Sequence, residues 1–303
     1  MSQEKIDQFY GEWYEHPDLQ DLAPEEFKKR IRDVLDALDD YNTKDRPLNI
    51  LAVHGSGRHP VAGCAREVSN SALLLERALD PYRDEGHDIE SVHLREYNIS
   101  PCNGCVSTAS TLCGFPCDCF PFDPMQKLYP KVLRCDLLLC STPVWQSTVS
   151  SRLKLFLDRL ISLDGGFFRS EYTPKTTEFR NRAIHASREG KFEYTQRMFG
   201  RVAAYFISAK DQNNPDDIEF DYIQKTADVL RTGFESYGML HADKWFAGHA
   251  SKWDEDYSHD KANLNENTGL HIEAQAVVGQ AISLAEESRK NPPQPMMGRM
   301  NRT

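Results

Sequence analysis

Between Pro47 and Phe246, short apolar runs of strand length alternate with longer stretches whose apolar residues recur every three or four positions. Leu48-Asn49-Ile50-Leu51-Ala52-Val53 is nearly continuous in apolar character, the pattern of a strand buried on both faces. Asn70 to Leu79 then reads as a helix, and Asp88 to Leu94 alternates like a half-buried strand. Asp136 to Ser141 repeats the first pattern, and Ser150 to Leu160 follows it with helical spacing. Arg201 to Ser208 predicts a fourth strand, Asp216 to Tyr237 a helix, and Leu240 to Phe246 a fifth strand. Ahead of this series, Phe27, Ile31, Val34, Leu35 and Leu38 form a helical stripe that Pro24-Glu25-Glu26 is suited to open. Behind it, His271 to Arg289 predicts a last helix before Asn291-Pro292-Pro293-Gln294-Pro295-Met296-Met297-Gly298, the composition of a mobile tail.

Strands alternating with helices predict an α/β fold, a parallel sheet covered on both faces. Five strands joined by right-handed crossovers fit a flavodoxin-like doubly wound order. Residues 47–250 are expected to form this domain, 1–46 an N-terminal helical extension, and 251–303 a C-terminal helix and flexible tail. Within the domain, 101–121 is a cysteine-rich loop, and 165–200 an insertion suited to a lid or a subunit contact. No internal repeat is visible.

Composition narrows the function classes. The chain has 303 residues with 40% apolar and 27% charged side chains, ordinary globular usage. Its formal charge of −10 repels phosphate backbones, so neither nucleic acid nor an anionic membrane is an expected partner. Met1-Ser2-Gln3-Glu4-Lys5 lacks the apolar core of a signal peptide, and runs such as Leu137-Leu138-Leu139-Cys140 fall short of a membrane span. A soluble, cytoplasmic protein is the expectation. Five of its eight cysteines, Cys102, Cys105, Cys113, Cys117 and Cys119, fall within one short segment. In a reducing compartment such clustering points to metal ligation rather than to disulfides.

In an open parallel sheet, ligands bind beyond the carboxyl ends of the strands. Three loops there carry candidate chemistry. Gly55-Ser56-Gly57-Arg58 closes the first strand: glycine admits close backbone approach, Ser56 offers a hydroxyl and Arg58 a charge. Ser69, Asn70 and Ser71 open the next helix, whose free amides and positive dipole end suit a phosphate. The spacing of Gly55, Gly57 and Gly63 matches neither a dinucleotide fingerprint nor a P-loop, and Cys64 stands where the latter needs lysine. After the third strand, Thr142-Pro143-Val144-Trp145-Gln146-Ser147-Thr148 combines a stiff backbone with a flat aromatic face. Backbone amides there can reach the edge of a planar heterocycle. Asp164-Gly165-Gly166 ends the following helix, as a C-cap or as a place where a ring approaches.

Taken together, Gly55-Ser56-Gly57-Arg58, Ser69-Asn70-Ser71, Pro101-Cys102-Asn103-Gly104-Cys105, Thr142-Pro143-Val144-Trp145 and Leu153-Lys154-Leu155-Phe156-Leu157-Asp158-Arg159 resemble the NADPH-dependent FMN reductase family, nearest its iron–sulfur flavoprotein branch. The resemblance is strong over about residues 47 to 165. It implies FMN, with the phosphate at Ser56, Arg58, Ser69, Asn70 and Ser71 and the ring against Thr142, Pro143, Val144, Trp145, Gln146 and Ser147, with Asp164 and Gly165 nearby. Trp145 replaces a tyrosine common in the family, which keeps stacking and changes the hydrogen bond. Asp158 and Arg159 are expected to be structural. The resemblance also implies a homodimer or homotetramer.

The cysteine spacing, Cys102-x2-Cys105-x7-Cys113-x3-Cys117-x-Cys119, departs from the family's tighter motif, with Ser107 at the usual third position. A [4Fe–4S] cluster on Cys102, Cys105, Cys113 and Cys117 (or Cys119), free structural thiols, and a zinc ion all remain open. Cys64, Cys135 and Cys140 read as small buried hydrophobes. The implied activity is that of an FMN-dependent NAD(P)H oxidoreductase in which the flavin carries the chemistry and no side chain is named as catalytic. The acceptor is a quinone-like or other small molecule, or a protein. The competing readings are an electron carrier or redox sensor without substrate turnover, and a metal-stabilised binding protein without flavin.

Overall fold

The computed structural model describes residues 24–43, 45–58, 69–117, 119–120, 122–168, 175–190, 196–211, 221–242, 246–252 and 266–293. The expectations for residues 1–23, Gly63, Cys64 and the tail beyond 293 lie outside them. The chain groups into two compact units. One comprises Thr43–Tyr97, Arg134–Lys154 and Met198–Thr303; the other comprises Met1–Asn42, Asn98–Leu133 and Leu155–Arg197.

The first unit holds the sheet. Its strands are β1 (Asn49–His54), β2 (Asp88–His93), β3 (Leu137–Trp145), β4 (Thr148–Val149), β5 (Val202–Asp211), β6 (Leu240–His241) and β7 (Phe246–Lys252). The main path runs β2-β1-β3-β5-β6, with every neighbouring pair parallel. This is the doubly wound order expected of five alternating strands. The fifth expected strand, Leu240 to Phe246, proves to be two pieces. β6 pairs with Val202 and Ala203, whereas β7 begins beside Phe206 and follows β5 to its end.

Side-chain alternation divides the two faces of the sheet. Ile50, Ala52, Leu137, Leu139, Val202, Ala204 and Phe206 pack with Leu74, Leu75 and Ala78 of α2 (Asn70–Leu79). Val277, Val278, Ala281 and Ala285 of the C-terminal helix (Thr268–Lys290) join the same core. Tyr205, one step out of phase, senses the charges of Arg231, Asp228 and Glu235. The helix Asp221–Ser236 therefore covers the other face. Asp136 ties down the entry to β3: its carboxylate accepts from Arg46 at 2.7 Å and from the Asn49 amide at 2.8 Å.

The second unit contains α1 (Pro24–Asn42), α3 (Met125–Arg134), most of α4 (Ser151–Arg159) and α5 (Thr177–Arg188). Phe27 and Val34 of the expected stripe are buried, while Leu35 is exposed. The sequence pattern did not announce α3, because Pro130 interrupts it and basic residues flank its apolar positions. Its buried Met125, Leu128, Tyr129, Val132 and Leu133 nevertheless share one face. Asp123 caps its start, its Oδ1 accepting from the Met125 amide at 2.8 Å. A two-strand pair joins Gly114–Phe115 to Phe167–Phe168. The Thr111 amide donates to Ser187 Oγ at 3.3 Å, fastening the cysteine-rich segment to α5.

Candidate functional site

β1 ends in a polar cradle. Ser56, Ser69, Asn70 and Ser71 are all buried although none belongs to the apolar core. Ser69 is the N-cap residue of α2, yet its hydroxyl makes no cap bond and pairs with Ser71 Oγ at 2.9 Å. The first-turn amides of α2 have no intrahelical acceptor, the feature by which a helix start can take an anion. Asn70 Oδ1 is buried without a hydrogen-bond partner among the described residues. An unsatisfied acceptor in such a place costs about 1–3 kcal/mol unless something donates to it. Glu76 reaches His54, the last residue of β1, at 2.8 Å. Ser69 lies seven positions earlier, about 10 Å along the helix, which carries the helix start past the end of the strand.

The Gly-Ser-Gly turn fits closely against its surroundings. A Cβ on Gly55 would lie 2.7 Å from Leu153 Cβ and 3.0 Å from the Ser141 carbonyl oxygen. A Cβ on Gly57 would lie 3.1 Å from Trp145 and 3.5 Å from Arg152 Nε. The Arg58 amide donates to Ser56 Oγ at 3.3 Å, and Arg95 donates to the Arg58 carbonyl at 3.0 Å, so both ends of the turn are held.

The second expected loop becomes the end of β3 and a hairpin to β4. Gln146 and Ser147 both take positive φ, 48° and 63°, as a two-residue primed turn requires. Thr142 is fully buried, and its hydroxyl accepts from the Ser150 amide at 3.0 Å and donates to the Pro143 carbonyl at 2.9 Å. It holds the hairpin rather than presenting a free hydroxyl. Pro143 and Val144 extend the strand, and Trp145 keeps 38% of its surface exposed beside Gly57. The structure thus brings Trp145 to the Gly-Ser turn, a contact that residue spacing did not reveal.

Asp164 and Gly165 belong to the other unit. Asp164 is buried and Gly165 partly so. The glycine that sterics demand is Gly166, where a Cβ would fall 2.2 Å from the Ser162 carbonyl oxygen. Its own carbonyl accepts from Arg197 at 2.9 Å. Close backbone packing accounts for that residue.

The cysteine segment gathers thiols and cations within the second unit. Cys105 and Cys119 place their sulfurs 3.2 Å apart, and Lys175 Nζ donates to Cys119 at 2.9 Å. Arg159 approaches Cys117 Sγ at 3.8 Å, and the Gly104 amide donates to Cys102 Sγ at 3.4 Å. The Cys119 hydrogen bond pulls the Cys105 thiol down, with help from Lys175. Burial pushes Cys113 well up, and the Cys119 contact followed by burial does the same to Cys117. Deeply buried thiols of this kind lose their protons most readily to a metal. Elsewhere burial pushes Cys135 up to about 12 and raises Cys140 as well, in keeping with small hydrophobes inside β3 and its approach.

Arg159 is one of the two residues for which the resemblance implied a structural part. It is buried, pairs with Asp123 at 3.2 Å and donates to the Ser100 carbonyl at 3.0 Å. Spacing along the chain did not place Lys175 and Arg159 beside the thiols, because they lie 56 and 42 positions from Cys119 and Cys117.

Residues 48–187 match the family model described as NADPH-dependent FMN reductase. An iron-sulfur flavoprotein of Methanocaldococcus jannaschii is 29% identical over 140 residues, covering 45% of this chain and 65% of that protein. An iron-sulfur flavoprotein of Archaeoglobus fulgidus is 28% identical over 101 residues, covering 33% of this chain and 44% of that protein. The chain thus spans less than two thirds of the length of each of these two relatives. A crystal structure of RosB with a bound 8-demethyl-8-formylriboflavin-5'-phosphate intermediate superposes with a TM-score of 0.54 at 14% identity, covering 81% of this chain and 82% of that one. That likeness corroborates the α/β flavodoxin-like fold. No described helix is long and apolar enough to cross a membrane.

Proposed function

We propose, from the match of residues 48–187 to the NADPH-dependent FMN reductase family model, that the protein is an FMN-dependent NAD(P)H oxidoreductase. One observation carries the reading: a buried, nearly all-polar cradle, whose Asn70 Oδ1 has no partner among the described residues, lies at the carboxyl end of β1, beside a partly exposed indole. Ser56 and the first-turn amides of α2 would bind the phosphate, and Arg58 would supply charge near it. Asn70 Oδ1 is an acceptor suited to a hydroxyl of the ribityl chain. The Trp145 face and the backbone from Pro143 to Ser147 would orient the ring and keep water from one side of it. Bound FMN supplies hydride acceptance from a nicotinamide donor and delivery of those electrons to an acceptor. The amides around Trp145 favour negative charge placed next to them. The acceptor is a quinone-like molecule, another small molecule or a protein, and the assembly is a homodimer or homotetramer acting in the cytoplasm.

The cysteine segment suits a [4Fe–4S] cluster on Cys102, Cys105, Cys113 and Cys117 (or Cys119). The donor set fits: thiols exceed the four required, Lys175 and Arg159 offset thiolate charge, and an amide donates to Cys102. Cys105 and Cys119 must separate from their 3.2 Å contact if both serve as ligands. Such a cluster would pass electrons singly.

Absorption spectra of freshly isolated protein under anaerobic conditions, with iron analysis, test both parts. Flavin bands that NADH or NADPH bleaches, and that return with an added quinone, are expected. A colourless protein that does not take up added FMN would overturn the flavin reading. A flavin that nicotinamides cannot reduce would favour an electron carrier. Iron-free protein with all five clustered thiols reactive would remove the cluster.

A further inference from the structure

His54, Ser141 and His93 lie in one transverse row of the sheet. His54 of β1 is in register with Ser141 of β3 on one side and His93 of β2 on the other. Strand alternation puts His54 on the face of Ile50 and Ala52, which α2 covers, and there Glu76 meets it. His54 Nε2 is 2.8 Å from Glu76 Oε1, and the two imidazole rings lie 4.5 Å apart. One ligand atom from each of His54, Glu76 and His93 falls within 4.8 Å of the other two, an arrangement no other trio of His, Cys, Asp or Glu reaches among the described residues.

We propose that His54, Glu76 and His93 form a binding site for a first-row divalent cation of the zinc class. Two imidazoles and one carboxylate are a donor set that such ions take, and a fourth position stays open to solvent or substrate. Donors on one tetrahedral zinc at about 2.0–2.1 Å stand about 3.3 Å apart. The His54–Glu76 contact therefore has to open by about half an ångström, and the Glu76 side chain, 31% exposed, has room to do so.

The surroundings are those of an outer shell. His54 Nδ1 meets Ser141 Oγ at 3.0 Å, which fixes the ring and aims Nε2 at Glu76. A cation would take the place of the proton between Nε2 and Glu76, with the remaining ring proton on Nδ1 directed to Ser141 Oγ. Ser91 Oγ donates to Glu76 Oε1 at 2.6 Å, and Arg83 pairs with Oε2, so the carboxylate is held from behind. The His93 ring makes no hydrogen bond among the described residues, leaving a ring nitrogen for coordination. Among the described residues, Arg83, Arg95 and Glu96 are the charged groups that act on the trio besides Glu76 itself. The site makes no use of the flavin cradle and stands or falls separately from it.

Co2+ titration of the full-length protein with its resident groups tests the site, because thiolate ligation gives intense charge-transfer absorption that imidazole and carboxylate ligation does not. Wild type is expected to bind one more equivalent than His93→Ala, and the difference spectrum should show only weak ligand-field bands. Glu76→Gln, which keeps the shape of the side chain and removes its charge, should weaken that equivalent by more than about tenfold. Far-ultraviolet circular dichroism verifies that each variant folds. Equal stoichiometry and affinity in wild type and Glu76→Gln, or a difference spectrum dominated by thiolate charge transfer, would overturn the proposal.

Discussion

Trp145 closes over Gly57 so tightly that a Cβ at the glycine would lie 3.1 Å from the indole Cη2. The contact links the turn after β1 to the hairpin after β3. Gly57→Ala should push the indole aside with little loss of stability, since the ring is partly exposed and can swing. FMN affinity, followed by flavin fluorescence quenching, should fall about tenfold, or about 1.4 kcal/mol. Unchanged affinity would mean that the indole does not position the ring.

Gly55 has less freedom around it. The neighbours of an added methyl are Leu153 Cβ at 2.7 Å and a backbone carbonyl at 3.0 Å, and neither can rotate away. Gly55→Ala should therefore destabilise the fold by about 1–3 kcal/mol through overpacking. Calorimetry would register this as a lower melting temperature even in protein saturated with FMN.

Asp136 is buried beneath Arg46, with Arg289 Nε at 3.8 Å and the Asn49 amide on the same carboxylate. Asp136→Ala leaves a buried guanidinium without its counter-charge, and urea denaturation should show a loss of about 3–5 kcal/mol. Asp136→Asn, which retains an acceptor for Asn49, should lose less.

Arg159 and Asp123 make the comparable buried pair beside the thiols. Arg159→Lys keeps the charge and loses the planar fork that spans Asp123, Ser100 and Cys117. Reduced iron retention at near-normal FMN content is the expected result. Equal loss of both would indicate general unfolding of the chain.

Glu76 sets a pH signature. Burial works to raise its pKa, but hydrogen bonds from His54 and Ser91 and the charges of His54 and Arg83 outweigh it and take the carboxyl from 4.5 to about 2. A folded-state pKa below the unfolded one means the carboxylate stabilises the fold above pH 4.5, and that contribution fades as pH falls toward 2. In chelator-treated protein, the stability advantage of wild type over Glu76→Gln should shrink as pH falls from about 5 to about 2. A difference that does not vary with pH over that range would contradict the assignment.

Sequence pattern reaches far where local rules dominate. Buried strands such as Leu137 to Cys140 are apolar on both faces, and α2 begins at Asn70 and ends at Leu79 as its spacing predicted. The last helix starts at Thr268, three residues earlier than its apolar pattern, because the Asn267 side chain accepts from the Leu270 amide. In α3 and α5, proline, charge and polar composition hid the helical face until partners buried it.

Taken alone, the chain's order of residues determined the parallel α/β sheet, the candidate flavin turns and the crowding of cysteines, since each depends on neighbours a few positions apart. The tertiary structure alone decided that Trp145 meets Gly57, that Arg159 and Lys175 serve the thiols, and that His54, Glu76 and His93 face one point. Those relationships arise from strand register and helix packing, where a shift of one residue would turn each side chain to the opposite face. No spacing rule along the chain encodes them.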